Sequence, residues 1–427
     1  MAAGLFAFRA LDDGRIEYTG NNVYKPIEDV RSLDVTGLEP GPDEIRRLSR
    51  INAAMYKAVV EYFGKVVGAE FVVLPLITRM LSSPGAAFKE LVRGRRLVSD
   101  QPLEVEAFTI ERFFQDQCSS RDPCIVFLSE SSQLYLEITI AYSGISRVYS
   151  VYNSFRREEA DWCHLTEFHH VEFEGRVSQE ENESIAMGLI RHLVKRILEE
   201  AEDDVLYYVD RDYVEEVEYM ASNPKRVRLA EALYDLYNFT GNRKYREFTS
   251  RHLGSWEELK LTQIYETFVV LKEYPYFETF FYQTYRDPVG PDTVDLEFRV
   301  GGESLRVKAK AYNGVPVADN ADIIWPGYRE VVGSGHRVRT AVETEYRIRR
   351  FLGLLLYGDP KKGSIRDPDI DRITELYRPY IEIRSLRGYR ETSGFGLGWE
   401  RFLQGLLKLP SITLATPFPR THKPPRV

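Results

Sequence analysis

Apolar residues recur every four positions at Ile185, Leu189, Leu193 and Ile197, which predicts a helix over residues 180–202. The run Met55-Tyr-Lys-Ala-Val-Val-Glu-Tyr-Phe63 has helical spacing too. It is followed by Phe71-Val-Val-Leu-Pro75-Leu-Ile, which reads as a strand whose proline is tolerated at a sheet edge, where no ladder donor is missed. The period changes to two in Val148-Tyr-Ser-Val-Tyr-Asn-Ser-Phe and again over residues 167–174, predicting two antiparallel strands joined by a loop. Ser131-Ser-Gln-Leu-Tyr-Leu-Glu137 reads as a strand just upstream, and further strands are expected at 276–285, 294–300 and 305–311. Near the end Gly394, Gly396 and Gly398 alternate, a spacing that lets a ligand or another backbone approach one face of a strand. Turn signals at Asp12-Asp-Gly14 and Pro40-Gly-Pro42 punctuate the first 45 residues.

With 427 residues, 43% of them hydrophobic, the chain can bury a substantial core in one large domain or two. A net charge of −8 argues against a protein that coats nucleic acid over its whole surface. It leaves room for a local basic patch, for which Lys225, Arg226, Arg228, Arg243, Lys244, Arg246 and Arg251 are candidates, although such a run is more commonly a solvated helical face. The three cysteines, Cys118, Cys124 and Cys163, have no pairwise zinc spacing, and their odd number points to reduced thiols. No apolar run resembles a signal peptide or reaches membrane-spanning length, so the chain reads as cytosolic.

Three constellations carry chemistry. Ser393-Gly-Phe-Gly-Leu-Gly-Trp-Glu-Arg401 resembles motif 3 of class II aminoacyl-tRNA synthetases, a glycine-rich strand running into a helix. Val148 to Glu158, continuing as His164-Leu-Thr-Glu-Phe168, is similar to motif 2 of that family, with its loop one residue short and Cys163 where an arginine is usual. Asp322-Ile-Ile-Trp-Pro-Gly-Tyr-Arg-Glu330, followed by Ser334 and Arg337, looks like the asparaginyl-tRNA synthetase signature. The resemblance implies an α+β fold, an antiparallel sheet of six or more strands flanked by helices, with a dimer interface built from the 55–75 region. It implies ATP and Mg²⁺ as well. Arg156 and Arg401 would be catalytic and hold phosphates, a task that suits the rigid guanidinium fork. Glu158, His164 and Phe168 would complete the nucleotide site, and Asp322 with Glu330 would hold the metal through hard carboxylate oxygens.

The amino-acid site implied by the same resemblance comprises Ser131, Gln133, Glu137, Glu172, Ser334 and Arg337, with Glu90 and Glu104 as candidates for one more carboxylate near the substrate ammonium. Leu136 stands where aspartyl enzymes place a lysine, and beside Glu137 it suits an amide side chain better than a carboxylate. The expected division is a lead over 1–45, a first catalytic part over 46–177, an inserted helical subdomain over 178–315 and a second catalytic part over 316–427. Only the lead precedes motif 1, too little for the five-stranded anticodon-reading barrel of asparaginyl- and aspartyl-tRNA synthetases. The archaeal asparagine synthetase-related proteins share that shortness, and Tyr377-Arg-Pro-Tyr-Ile-Glu-Ile-Arg384 looks like theirs. The first expectation is therefore an adenylate-forming ligase that passes an aspartate- or asparagine-like substrate to ammonia or a small amine. The alternative is a minimal asparaginyl-tRNA synthetase acting on tRNA. A third reading, an idle regulatory paralogue, is opposed by the intact Arg156, Asp322, Glu330 and Arg401.

Overall fold

The computed structural model describes residues 6–20, 22–80, 82, 127–156, 160–364 and 366–421. Glu158, Glu90, Glu104, Cys118 and Cys124 lie outside the described residues.

An N-terminal hairpin, β1 (Phe8–Ala10) and β2 (Ile16–Tyr18), turns at Gly14, whose φ of +86° favours glycine. Helix α1 (Pro42–Glu61) starts on Pro42 at its first turn, with the Glu44 carboxylate accepting the Gly41 N–H at 2.7 Å. It continues as a π-helical turn, Tyr62–Val67, which ends on left-handed Gly68. The short strands β3 (Glu70–Phe71), β4 (Ile77–Thr78) and β5 (Phe127–Leu128) follow, so the expected strand over 71–77 is two fragments. Helix α2 (Gln133–Ser143) then precedes the long strands β6 (Arg147–Phe155) and β7 (Glu167–Gly175).

Next come α3 (Gln179–Val205), α4 (Arg211–Ser222), β8 (Lys225–Arg228), α5 (Leu229–Thr240), α6 (Ser255–Tyr265) and β9 (Val269–Lys272). Strands β10 (Thr293–Val300), β11 (Glu303–Tyr312) and β12 (Val315–Pro316) form a separate three-stranded sheet. The chain ends with β13 (Asn320–Ile324), β14 (Glu330–His336), α7 (Ala341–Tyr357), α8 (Pro368–Leu376), α9 (Arg378–Glu382), β15 (Ser393–Gly398) and α10 (Trp399–Leu406).

The eight-stranded central sheet has the order β3-β6-β7-β15-β14-β13-β9-β8, antiparallel except for the two outermost pairs. Pattern explains its sidedness. Tyr149, Val171, Phe173, Leu397, Phe395, Val332, Ala321 and Ile323 share one face and enter the largest core with α1, α3 and α10. The aromatic centre of that core is Phe63, stacked on Tyr149 at 4.6 Å and near Phe173 at 5.8 Å. Of the stretch 178–315, α3 packs against α1 and the sheet, while β8 and β9 extend the sheet itself.

Two expectations are corrected. Residues 131–137 are not a strand: Ser131 and Ser132 lead into α2, whose Gln133 and Glu137 lie one helical turn apart on one face. Leu136 faces away from them into a cluster with Leu74, Ile140, Val148 and Tyr152, so it does not shape a polar pocket. Residues 276–285 are also not a strand: a single 3₁₀ turn (Tyr276–Glu278) leads into bridges from Gln283 to Arg337 and from Tyr285 to Ala318. The expected helix over 180–202 and strands over 294–300 and 305–311 are present.

Candidate active site

The face of the sheet opposite the main core carries the candidate residues. Register places Glu172, Gly396, Gly333 and Asp322 side by side across β7, β15, β14 and β13. The next row is Glu174, Gly394, Gly335 and Asn320. Two glycines in each row leave a floor without side chains, walled by Glu172 and Asp322 in one row and by Glu174 and Asn320 in the other. At about 4.8 Å per strand, the floor spans roughly 14 Å from Glu172 to Asp322, room for a nucleotide and an amino acid laid end to end.

At one end the Arg156 guanidinium lies 5.3 Å from the centre of the Phe168 ring, and Phe168 meets His170 edge to face at 4.8 Å. Arg401, on the first turn of α10, reaches back over β14. Its Nη1 donates to the Glu330 carbonyl oxygen at 2.7 Å and its Nη2 to the Cys163 carbonyl oxygen at 3.1 Å. Among the described residues, Nε of Arg156 and Nε of Arg401 are buried with no hydrogen-bond partner, which leaves both guanidiniums capacity for an anion. Glu400 fixes β7 to α10 by accepting the His169 N–H at 2.9 Å and pairing with its ring at 2.6 Å. His164 pairs with Asp161 at 2.9 Å; burial opposes charge on its ring, but that carboxylate raises it to about 9. His170 goes the other way, held neutral by burial and by the nearby Arg156 and Arg401.

Asp322 and Glu330 face each other across the mouth of the β13–β14 hairpin. A Cβ added at Gly333 would stand 2.9 Å from Glu330 Oε1 and 3.7 Å from Asp322 Oδ1, so only glycine leaves both carboxylates their space. Burial raises the Asp322 carboxyl well above its ordinary range, and the charge of Glu330 raises it further. Burial also raises Glu330, against the pull of Arg401. Two buried acids that repel one another fit a hard divalent cation such as Mg²⁺. Glu258 from α6 supports them, accepting the Glu330 N–H at 3.1 Å and clasping Arg329 through two nitrogens.

At the opposite end Glu172 accepts the Ser131 hydroxyl at 2.6 Å and the Tyr152 hydroxyl. Burial pushes its carboxyl up to about 7 in spite of those bonds. Beside it lies a buried tetrad. Arg337 is 2% exposed and pairs with Glu174 at 2.8 Å. Arg384 pairs with Glu137 at 2.5 Å, and Tyr380 donates to the same carboxylate at 2.7 Å. Gln133 bonds Glu174 at 2.7 Å, and the Tyr282 ring covers the Arg337 guanidinium at 5.3 Å.

The structure thus brings Arg156, Arg401, His164, Phe168, Asp322, Glu330, Ser131, Gln133, Glu137, Glu172 and Arg337 to this face. It does not bring Ser334, whose hydroxyl donates to the Ala321 carbonyl at 2.6 Å and accepts from Gln179 of α3 at 2.9 Å, on the core side of the sheet. Its neighbours Gly333 and Gly335 hold the site-facing positions. Sequence reading did not assign Glu174, Tyr152, Glu258, Tyr282, Tyr380 or Arg384. Of these, Tyr380 and Arg384 lie within the segment 377–384 that the reading singled out by resemblance alone.

The family model for tRNA synthetases class II (D, K and N) matches residues 102–422. The asparagine–tRNA ligase of Thermoplasma acidophilum is 29% identical over 299 residues, covering 69% of this chain and 57% of that protein. The asparagine–tRNA ligase of Treponema denticola is 24% identical over 438 residues, covering 96% and 80%. The chain spans 57% of the length of the Thermoplasma acidophilum and Thermococcus kodakarensis relatives. Among solved structures, asparaginyl-tRNA synthetase from Pyrococcus horikoshii complexed with asparaginyl-adenylate superposes with a TM-score of 0.63 at 24% identity, over 89% of this chain and 69% of that one. Aspartyl tRNA synthetase from Entamoeba histolytica gives 0.55 at 17% identity, over 88% and 58%. At these identities the structural likeness establishes the fold.

Proposed function

This chain belongs to the class II tRNA synthetases (D, K and N), and on that footing we propose that it is an ATP-dependent ligase which activates an asparagine-like amino acid as its adenylate and passes it to tRNA. The observation that carries the amino-acid reading is the charge balance of the buried tetrad. Glu137 and Glu174 are matched by Arg384 and Arg337, so the end of the pocket is already neutral. A third buried carboxylate there would be left unpaired, whereas an amide can both accept from Arg337 and donate to Glu137. Glu172 remains to attract the α-ammonium.

In this reading the substrate α-carboxylate oxygen bonds to the α-phosphorus of ATP while the bond to pyrophosphate breaks. Arg156 and Arg401 would stabilise the charge that spreads over the phosphates, and no side chain acts as nucleophile. Asp322 and Glu330 would hold Mg²⁺, which supplies positive charge to the phosphate oxygens when bound. The sequence reading put ammonia first as acceptor; the relatives' shared name favours tRNA instead. A homodimer also belongs to this proposal, supported by exposed apolar side chains clustered from α1 onward: Tyr56, Val60, Val66, Phe71, Val73 and Ile77.

The test pairs ATP–pyrophosphate exchange with product analysis. Asparagine should drive exchange better than aspartate, and labelled asparagine with bulk tRNA should give RNase-sensitive, acid-precipitable label. Exchange driven by aspartate alone, with free amide formed from ammonia and no labelled RNA, would overturn both the substrate and the acceptor.

A further inference from the structure

The loop between β6 and β7 carries a second set of donor atoms. A carboxylate oxygen of Asp161, Sγ of Cys163 and Nδ1 of His164 all lie within 4.8 Å of one another. Nδ1 stands 2.9 and 3.0 Å from the two Asp161 oxygens and 3.4 Å from Sγ. A tetrahedral zinc ion bonds sulfur at about 2.3 Å and nitrogen or oxygen at about 2.0–2.2 Å, which sets ligand-to-ligand edges of roughly 3.4–3.6 Å. The sulfur–nitrogen edge already has that length. The carboxylate edge is short by about 0.4 Å, and the Asp161 side chain, 48% exposed, has space to retreat.

The backbone anchors the loop that carries the donors, and the Cys163 N–H also donates to Asp161 Oδ1 at 2.8 Å. The Trp162 carbonyl oxygen accepts from Ile412 N–H at 2.9 Å and from Gln404 Nε2 at 2.8 Å, and the Cys163 carbonyl oxygen accepts from Arg401. Arg329 Nη1 lies 3.4 Å from Sγ, and Glu258 balances the charge of Arg329 itself. The donor set also selects among metals. Thiolate with imidazole suits zinc-class ions, whereas Mg²⁺ prefers an all-oxygen set such as Asp322 and Glu330.

We propose that Asp161, Cys163 and His164 form a binding site for a thiophilic divalent cation of the zinc class, at the rim of the nucleotide site and distinct from the paired acids. The ion takes thiolate and neutral imidazole as ligands, so it competes with protons for Sγ and Nδ1, and the fourth coordination position is left to water. Occupation removes Nδ1 of His164 from other use, so the ion competes with ATP; that clause rests on the proposed function, and the site itself does not.

The test uses Cd²⁺ and Zn²⁺ with the full chain carrying Cys118→Ser and Cys124→Ser, so that Cys163 is the remaining thiol. One equivalent of Cd²⁺ should bind with an ultraviolet thiolate-to-cadmium charge-transfer band. Adding Cys163→Ser should abolish the band. Adding His164→Ala should weaken binding at least about tenfold, with circular dichroism and melting confirming that each variant is folded. Should the serine pair itself fail to fold, Cys163→Ser in the parental chain must lower the band by one thiolate. An unchanged Cd²⁺ affinity in either the Cys163→Ser or the His164→Ala protein would overturn the site. Cd²⁺ binding with no rise in the KM for ATP would overturn the competition alone.

Discussion

Gly394 and Gly396 stand two residues apart on one face of β15, yet the structure gives them opposite tolerances for a methyl group. A Cβ on Gly394 would come within 2.5 Å of Arg337 Nη2, and closer still to Glu174 Oε2 and the Phe173 carbonyl oxygen. None of these can yield cheaply. The Phe173 carbonyl is held by Gln133 at 2.8 Å, and Glu174 and Arg337 are locked together in a site of almost no exposure. Overpacking alone costs about 1–3 kcal/mol, and disturbing a buried ion pair can add several more, up to about 3–5 kcal/mol if it breaks. A Cβ on Gly396 meets only Glu172, at 3.5 Å, an ordinary contact. Gly394→Ala should therefore lose about 2–5 kcal/mol, a fall in Tm of roughly 2–6 °C for a chain of this size. It should also bind its amino acid poorly. Gly396→Ala should melt at or slightly above the parental temperature, since alanine narrows the unfolded ensemble, but its methyl rises from the floor and should raise the KM for ATP. Differential scanning calorimetry and pyrophosphate exchange measure both halves. If Gly394→Ala melted within about 1 °C of the parent, or Gly396→Ala fell as far as Gly394→Ala is expected to, the face assignment of β15 would be wrong.

Arg156→Ala should lower the rate of pyrophosphate exchange by about 10²–10³-fold at saturating substrates; exchange at the parental rate would remove Arg156 from the phosphate site. Because burial raises Glu172 to about 7, and the carboxylate is the form that attracts an ammonium, the KM for the amino acid should fall as pH rises through about 7. Glu172→Gln should flatten that profile, and a parental KM that rises instead would contradict the role. Asp322→Asn removes one partner of a repelling buried pair, so in chelator-treated protein it should raise Tm while increasing the Mg²⁺ concentration needed for exchange. A variant that lost stability and kept its Mg²⁺ requirement would show that the two acids do not share a cation.

The alternating strands were legible because their chemistry has the period of their geometry. In β7 over 171–174 and in β15 over 394–397 one parity is aromatic or aliphatic and the other is acidic or glycine, so core face and site face can be read from residue type alone. Helix α2 was misread for the converse reason. Gln133, Leu134, Leu136, Glu137 and Ile140 are all buried, with the polar pair serving the site and the apolar ones serving packing. A helix enclosed on every side carries no amphipathic stripe, and its short polar–apolar string imitates a strand. Ser334 failed by one position: on a strand whose site-facing residues are glycines, the nearest side chain in sequence points to the core. Arg384 and Tyr380 were beyond periodicity altogether, because they meet Glu137 across 247 and 243 residues. What decides the pocket is this long-range neutralisation. Taken alone, Arg337 would make the site a receptor for a carboxylate; Glu174, recruited by the register of β7 against β15, fills that role from within the protein. In the proposed function, the polarity of the substrate is therefore a property of sheet register, and no single motif along the sequence contains it.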